Sequence, residues 1–483
     1  MAQYHLEDET WSPHCGDATD HLLRKERDSE ADDGEEDDRP HCYIPRRYIL
    51  VAVLFAGCSV AYGLRVCISV AAAPVSADGR DNMSMYNEFG WSDTDQGWVL
   101  SAFFGGYIST QILGGLLAKA YGGKVVIGCG IGLASLATLA TPLLAANFRA
   151  LIVLRVLTGA ASGVTYPCIM TFLGLWTQKS ERSFFVSIVF SGGGLGTVSA
   201  MILGGGIMEN AGWRWVFVFY GVCGLLWCIL LACLVASSPA CHSTIHVSER
   251  RLLVQPPPPD GEKASETTIP WKKILLSRPV WAIFIAHFSF NFGFYLMVTE
   301  LPSYLSTVHH LSITRTALSA ALPYFAQFIV SNVAGILADH VIANGWVSTV
   351  CVRKVAMTTG MLIPAMSLVA VGYVQSGIAS VALLTLSVGA LGICHSGYGA
   401  NYLEVSRSLS GVLLSIGNTF ATLPGILAPL ITGFVLESYG CLPGVAESAC
   451  AEAYEAVFLL AFAQYALGVL FFVAWATSEC VLP

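Results

Sequence analysis

Apolar runs of about 20 residues recur from near Tyr48 almost to the end of the chain, and no other feature constrains the fold as tightly. A helix rises about 1.5 Å per residue, so about 20 residues cross the roughly 30 Å hydrocarbon core of a bilayer. Inside hydrocarbon each backbone N–H and C=O needs a partner within the protein, which leaves helices or closed barrels. Continuous runs of this length predict helices. Twelve can be counted, at about 48–75, 96–118, 124–146, 149–175, 185–208, 214–236, 279–302, 316–338, 352–374, 377–400, 410–435 and 454–477. Composition agrees, with 54% hydrophobic residues and only 12% charged, where a soluble domain has roughly 25% charged. The expected fold class is an all-α membrane protein with twelve transmembrane helices.

Residues 237–278 interrupt the runs with polar sequence that includes QPPPPDGEK, a linker-like composition. They split the spans six and six. The expected organisation is an acidic, disordered cytosolic tail over 1–45 and a six-helix bundle over 46–236. A cytosolic linker over 237–278, a second six-helix bundle over 279–477 and a short cytosolic tail over 478–483 complete it. Charge tests this plan. With the N-terminus in the cytosol, 19 of the 25 Lys and Arg fall on the cytosolic side. Arg80, Arg149, Arg214 and Arg315 fall outside, and Arg65 and Arg155 lie within spans. Such asymmetry is what the positive-inside rule requires.

The loop after span 1 then faces away from the cytosol. It carries Asn82-Met83-Ser84, a sequon that makes Asn82 a glycosylation candidate. Cys441 and Cys450 bracket the polar loop CLPGVAESAC. In an oxidising lumen they form a disulfide candidate, with two free thiols as the alternative. The net charge of -8 comes largely from EADDGEEDD and implies no nucleic-acid partner. No apolar signal core precedes span 1, so span 1 is expected to serve as its own insertion signal. His21-Leu22-Leu23 with Asp17 and Asp20 resembles an acidic dileucine sorting signal. It favours an endomembrane, lysosomal or vesicular, over the plasma membrane or a plastid.

GGLLAKAYGGK (114–124) after span 2 and AGILADHVIANGWVSTVCVRK (334–354) after span 8 form a weak internal repeat. Equivalent positions in two six-span halves suggest duplication, the plan of carriers with a central site between two bundles. No soluble-enzyme constellation stands out. GxxxxGK[ST], HExxH and paired CxxC motifs are absent, so neither catalytic residues nor a metal or cofactor is expected. The GGG runs at 192–194 and 204–206 suit close helix packing better than phosphate binding.

The chemistry must then come from polar groups within spans. A charge at mid-span costs about 2.5–3.5 kcal/mol on insertion scales, and Arg65 stands about 17 residues into span 1. A guanidinium facing an internal cavity offers a donor fork suited to a carboxylate or phosphate. Arg65 is therefore the main sign that the substrate is a small anion. Arg155 lies about seven residues into span 4, where a functional role and a structural hydrogen bond compete evenly. His287, Asn291 and Tyr295 recur every four residues on one face of span 7, and Tyr107 offers a phenol in span 2. For these, contact between helices and contact with substrate stay open. His287, near the start of its span, is not read as a proton relay. Asn418 is intramembrane in span 11. Asn401 and Glu404 read as a solvated helix end.

Several of these segments resemble the major facilitator superfamily. GGLLAKAYGGK, Arg155-x-x-x-Gly159 and GILADH carry the general likeness. YGLRVCISVA, GWVLSAFFGGYISTQILGG, LIVLRVLTGAASGVTYP, ERS at 181–183, IAHFSFNFGFYL and NTFATLPG resemble its organic-anion branch of sialin, vesicular glutamate and nucleotide carriers and phosphate carriers. The resemblance spans about residues 46–477. It implies the major facilitator fold with alternating access, and a binding set of Arg65, Tyr107, Arg155 and Tyr295, with Asn418 added from its position. Thr158, Ser162, Phe290 and Asn291 become candidate cavity-lining residues. Sialin-like members carry acids where Thr158 and Ser162 stand, and a histidine often where Met170 stands. Glutamate carriers have a second arginine where Phe290 stands. These departures argue against glutamate specificity and leave coupling open among H+, Na+ and membrane potential. The expected function is secondary or potential-driven transport of a small organic or inorganic anion by a monomer in the lipid bilayer, without a cofactor. A transport-silent sensor or scaffold of the same fold is the alternative.

Overall fold

The computed structural model of the protein describes residues 43–72, 84–91, 93–242, 244–253, 269–307, 313–374, 376–440 and 447–482. Among the described residues, twelve helices are long and apolar enough to cross a membrane. They are α1 (Arg46–Ala71), α2 (Asp95–Tyr121), α3 (Gly123–Leu144), α4 (Phe148–Trp176), α5 (Lys179–Ala211) and α6 (Trp213–Leu234). After the polar interlude come α7 (Arg278–Val298), α8 (Ala321–Ala343), α9 (Thr349–Gly372), α10 (Gly377–Val405), α11 (Ser410–Ser438) and α12 (Cys450–Trp475). The chain is an integral, multi-pass membrane protein. Asn82, Cys441, the dileucine segment and most of the acidic tail lie outside the described residues, while Cys450 is disulfide-bonded.

Local chemistry sets the helix joints. Single glycines join α2 to α3 and α5 to α6, with Gly122 at φ 84° and Gly212 at φ 85°. That left-handed conformation disfavours any residue with a Cβ. Asn147 caps α4, its side chain accepting from the N–H groups of Arg149 at 3.1 Å and Ala150 at 3.2 Å. α10 is distorted by a π turn over His395–Gly399.

α1 packs along α5 and α6, and α9 along α10 and α12, within their own halves. A Cβ on Gly192 or Gly196 would strike the carbonyls of Phe55 and Ser59 on α1, so these glycines serve close packing. The halves meet through α5 against α8, and through α11 against α2 and α4. Glycine marks this seam too. Gly335 faces the Phe184 backbone, Gly115 faces Ser415, and Gly411 faces Thr171.

At the end where α1 begins, the proximal end, charge joins the halves. Asp339 at the end of α8 accepts from the backbone N–H of Ser183 at 3.0 Å and Phe184 at 2.8 Å, where α5 enters its regular turns. Unsatisfied N–H groups and the helix dipole favour an anion there. Arg353 of α9 is fully buried, donating to Glu404 Oε1 at 2.7 and 2.9 Å, Ser183 Oγ at 2.6 Å and the Ser396 carbonyl at 2.9 Å. Arg407 donates to the carbonyls of Gly174, Leu175 and Thr177 at the C-terminus of α4. Here the expected solvated end of span 10 is corrected. Asn401 and Glu404 are buried, Asn401 donating to Glu404 at 3.0 Å. Each helical residue turns the chain about 100°. A π turn holds one residue more, so it rotates the residues that follow away from the face that a regular helix predicts.

Candidate functional site

Arg65 meets ring faces rather than carboxylates. Its guanidinium carbon lies 4.6 Å from the centre of Phe104, 5.2 Å from Phe103, 5.4 Å from Tyr62, and 5.9 Å from both Tyr107 and Tyr295. Its Nη2 also lies 3.5 Å from the Tyr295 hydroxyl. Among the described residues, no carboxylate reaches it. Each π face attracts the cation by about 0.5–2 kcal/mol, more as water is excluded. The rings thus hold the charge in place without neutralising it. Tyr295 comes from the second half and the other four rings from the first, so the cage bridges the halves.

Arg155 turns inward instead of towards a surface. It is 4% exposed, its Nη2 donates to the Arg65 carbonyl at 3.3 Å, and its guanidinium carbon lies 5.2 Å from the Phe103 ring. Its Nε is buried and lacks a hydrogen-bond partner. Of the two roles that competed in the sequence, this geometry matches the structural bond to a neighbouring span. Phe103 therefore serves two guanidiniums, one tied to the α1 backbone and one facing the cavity.

Two adjoining cavities share Tyr62, Tyr107 and Tyr166. The smaller contains Arg65 and Ser162. The larger, about 70 Å³, lies between the halves and is lined by Phe290, Asn291, Tyr295, Asn418, His287 and His395 among others. Asn418 donates to the Tyr107 hydroxyl at 3.1 Å across the seam. Asn291 donates to the Ala421 carbonyl at 2.7 Å, so it both joins helices and faces the cavity. The Thr158 and Ser162 hydroxyls donate to the Leu154 and Thr158 carbonyls of their own helix, each at 2.7 Å. Met170 is buried, and its carbonyl accepts from Ser410 Oγ.

Of the residues singled out in the sequence, Tyr107, Phe290, Asn291, Tyr295 and Asn418 line the larger cavity, Arg65, Tyr107 and Ser162 line the smaller, and Arg155 and Thr158 line neither. Sequence reasoning missed Tyr62, Tyr166, Gln327, Ser331 and His395, all of which line the larger cavity. It also set His287 aside as too near a span end. The stretch CHSGYG did carry a signal, a histidine inside an apolar run.

The description of the Major Facilitator Superfamily matches residues 53–429. Sialin of Ovis aries is 36% identical over 456 residues, covering 90% of this chain and 90% of that protein. The chloroplastic ascorbate transporter of Arabidopsis thaliana is 32% identical over 441 residues, covering 91% of this chain and 76% of the relative. Vesicular glutamate transporter 2.1 of Danio rerio is 31% identical over 447 residues, covering 90% and 75%. Among solved structures, the proton:xylose symporter XylE bound to 6-bromo-6-deoxy-D-glucose superposes with a TM-score of 0.67 at 13% identity, covering 90% of this chain and 97% of that one. That likeness concerns the fold alone.

Proposed function

We propose that this chain, which belongs to the major facilitator superfamily, carries small anions across a membrane by alternating access. One observation carries the reading. The Arg65 guanidinium lines a small cavity that shares Tyr62, Tyr107 and Tyr166 with the cavity between the halves, held by five rings and neutralised by no described carboxylate. An anion completes that site. A bidentate carboxylate or phosphate matches the guanidinium fork, and the Tyr107 and Tyr295 hydroxyls and the Asn418 amide stand beside it. Arg155 positions the α1 backbone next to Arg65. The relatives named for ascorbate and glutamate transport support an anionic substrate. Phe290 offers no second cation, which favours a substrate unlike glutamate.

In this reading the proximal end faces the cytosol. Arg46, Arg47, Lys119, Lys124, Lys179 and Arg353 gather there, as the positive-inside rule asks. Both termini are then cytosolic, the carrier acts as a monomer, and an endomembrane is its place. Transport opens the proximal end by releasing Arg353 from Ser183, Asp339 from the start of α5 and Arg407 from the end of α4. The reaction makes and breaks no covalent bond in the anion.

The test is counterflow in proteoliposomes with a labelled panel of sialate, glucuronate, ascorbate, phosphate and glutamate. At least one panel anion exchanges with the wild-type protein, and Arg65→Ala abolishes that exchange. Arg65→Ala exchange at the wild-type rate overturns the site. No exchange of any anion by the folded wild-type protein supports the transport-silent alternative.

A further inference from the structure

The cavity holds two imidazoles that anion recognition leaves unused. His395 and His287 line it, and no Asp or Glu does among the described residues. α4 offers neither carboxyl nor imidazole there, since its Thr158 and Ser162 hydroxyls bond back into their own helix. His395 begins the π turn of α10, a distortion frequent at functional sites.

A short hydrogen-bond chain sets the state of the ring. His395 Nδ1 lies 2.9 Å from Ser331 Oγ on α8, and Ser331 Oγ lies 3.5 Å from the Ser187 carbonyl on α5. A hydroxyl that donates to Ser187 accepts from His395 Nδ1–H. The neutral ring then carries its proton on Nδ1, and Nε2 is the nitrogen with a free lone pair. The chain runs from α10 through α8 into α5, and so crosses from one half to the other.

The neighbours leave that nitrogen without an anionic partner. Phe290 of α7 and Phe190 of α5 approach the ring at 5.3 and 5.7 Å. Besides His395, the titratable groups around the cavity are His287 and Tyr295 on α7, Tyr398 on α10, Tyr324 on α8, Tyr62 on α1, Tyr107 on α2 and Tyr166 on α4. Tyrosines are neutral at physiological pH. From α9, Arg353 reaches the Ser396 carbonyl, but its charge is paired with Glu404. His287 differs from His395. It stacks on Tyr398 at 4.7 Å and meets the Tyr402 hydroxyl at 3.3 Å, both within its own half.

We infer that His395 is a proton-binding site, and that the proton it takes on Nε2 travels with the anion. This rests on the anion-carrier reading. Water on one side gives the proton, and an N–H bond forms at Nε2. When the cavity opens to the other side that bond breaks, the proton passes to water and the imidazole returns neutral. Protonation adds a positive charge to the cavity that adjoins the Arg65 pocket through Tyr62, Tyr107 and Tyr166, so an anion held across the two meets two cations. Proton and anion raise each other's affinity by one common factor, as linkage requires.

Two readouts on the full chain test this. In the first, histidine-labelled wild-type, His395→Gln and Ser331→Ala proteins are titrated by NMR without any substrate. One imidazole signal titrates between about pH 5 and 8, is missing in His395→Gln and moves in Ser331→Ala. A His395 signal that stays neutral throughout overturns the site. In the second, proteoliposomes take up whichever panel anion showed counterflow, with and without an inward proton gradient. His395→Gln lowers the ratio of gradient-driven accumulation to exchange by about tenfold, within the usual range of linkage factors, and flattens the pH profile of exchange. An unchanged ratio overturns the proton role. If the wild-type protein exchanges no panel anion, the carrier reading fails, while the titration still decides whether His395 binds a proton.

Discussion

Arg353 is fully buried and Arg65 half-buried, and their surroundings are opposite. Arg353 has a carboxylate, a hydroxyl and a carbonyl within 2.9 Å, and it is 0% exposed. Arg65 has ring faces and one distant phenol. A buried charge whose partner is permanent contributes to architecture and has little left to offer a ligand. One held by quadrupoles keeps its hydrogen-bonding fork. The difference separates a closure from a site using the same side chain.

The contrast can be broken at either end. The largest expected effect is on the closure. Glu404→Ala strands the Arg353 charge and costs about 3–5 kcal/mol, seen as lost thermal stability in detergent. The double change Arg353→Met with Glu404→Leu stays within about 1 kcal/mol of wild type, because replacing both members of a buried pair is often neutral. Arg65→Ala does the reverse. Stability changes little, while counterflow falls at least about a hundredfold, equivalent to about 2.7 kcal/mol. Equal loss of stability in Arg65→Ala and Glu404→Ala would erase the distinction.

Smaller changes sharpen it. Asp339→Asn removes the charge at the start of α5 and weakens the proximal closure by about 1 kcal/mol. Spin labels across α5 and α8 at that end then report a larger separated population, by about fivefold. Tyr107→Phe removes the hydroxyl that accepts from Asn418. Its expected cost is about 1 kcal/mol, read as a few-fold weaker anion affinity with stability nearly unchanged.

The twelve spans were legible in the sequence because hydropathy acts over 20 residues and tolerates boundary errors. Span 10 was expected at 377–400 and the helix continues to Val405. Arg65 was legible because a charge in an apolar run is costly wherever it points. The partners of these charges were less accessible. Arg353 and Glu404 sit near span ends, where charge usually meets water, and their pairing joins residues 51 apart. The π turn also breaks the 3.6-residue periodicity on which face assignments depend. Arg155 shows a middle case. Its burial could be suspected, but its bond to the Arg65 carbonyl joins residues 90 apart and follows from helix packing alone.

The single-glycine joints at Gly122 and Gly212 have a consequence for measurement. A link of one residue leaves almost no slack, so the ends of α2 and α3, and of α5 and α6, stay in register whatever the halves do. Probe pairs across those joints form an internal ruler of fixed length. Against it, any change read across α5 and α8 is motion between halves, already corrected for tilt and tumbling of the whole molecule.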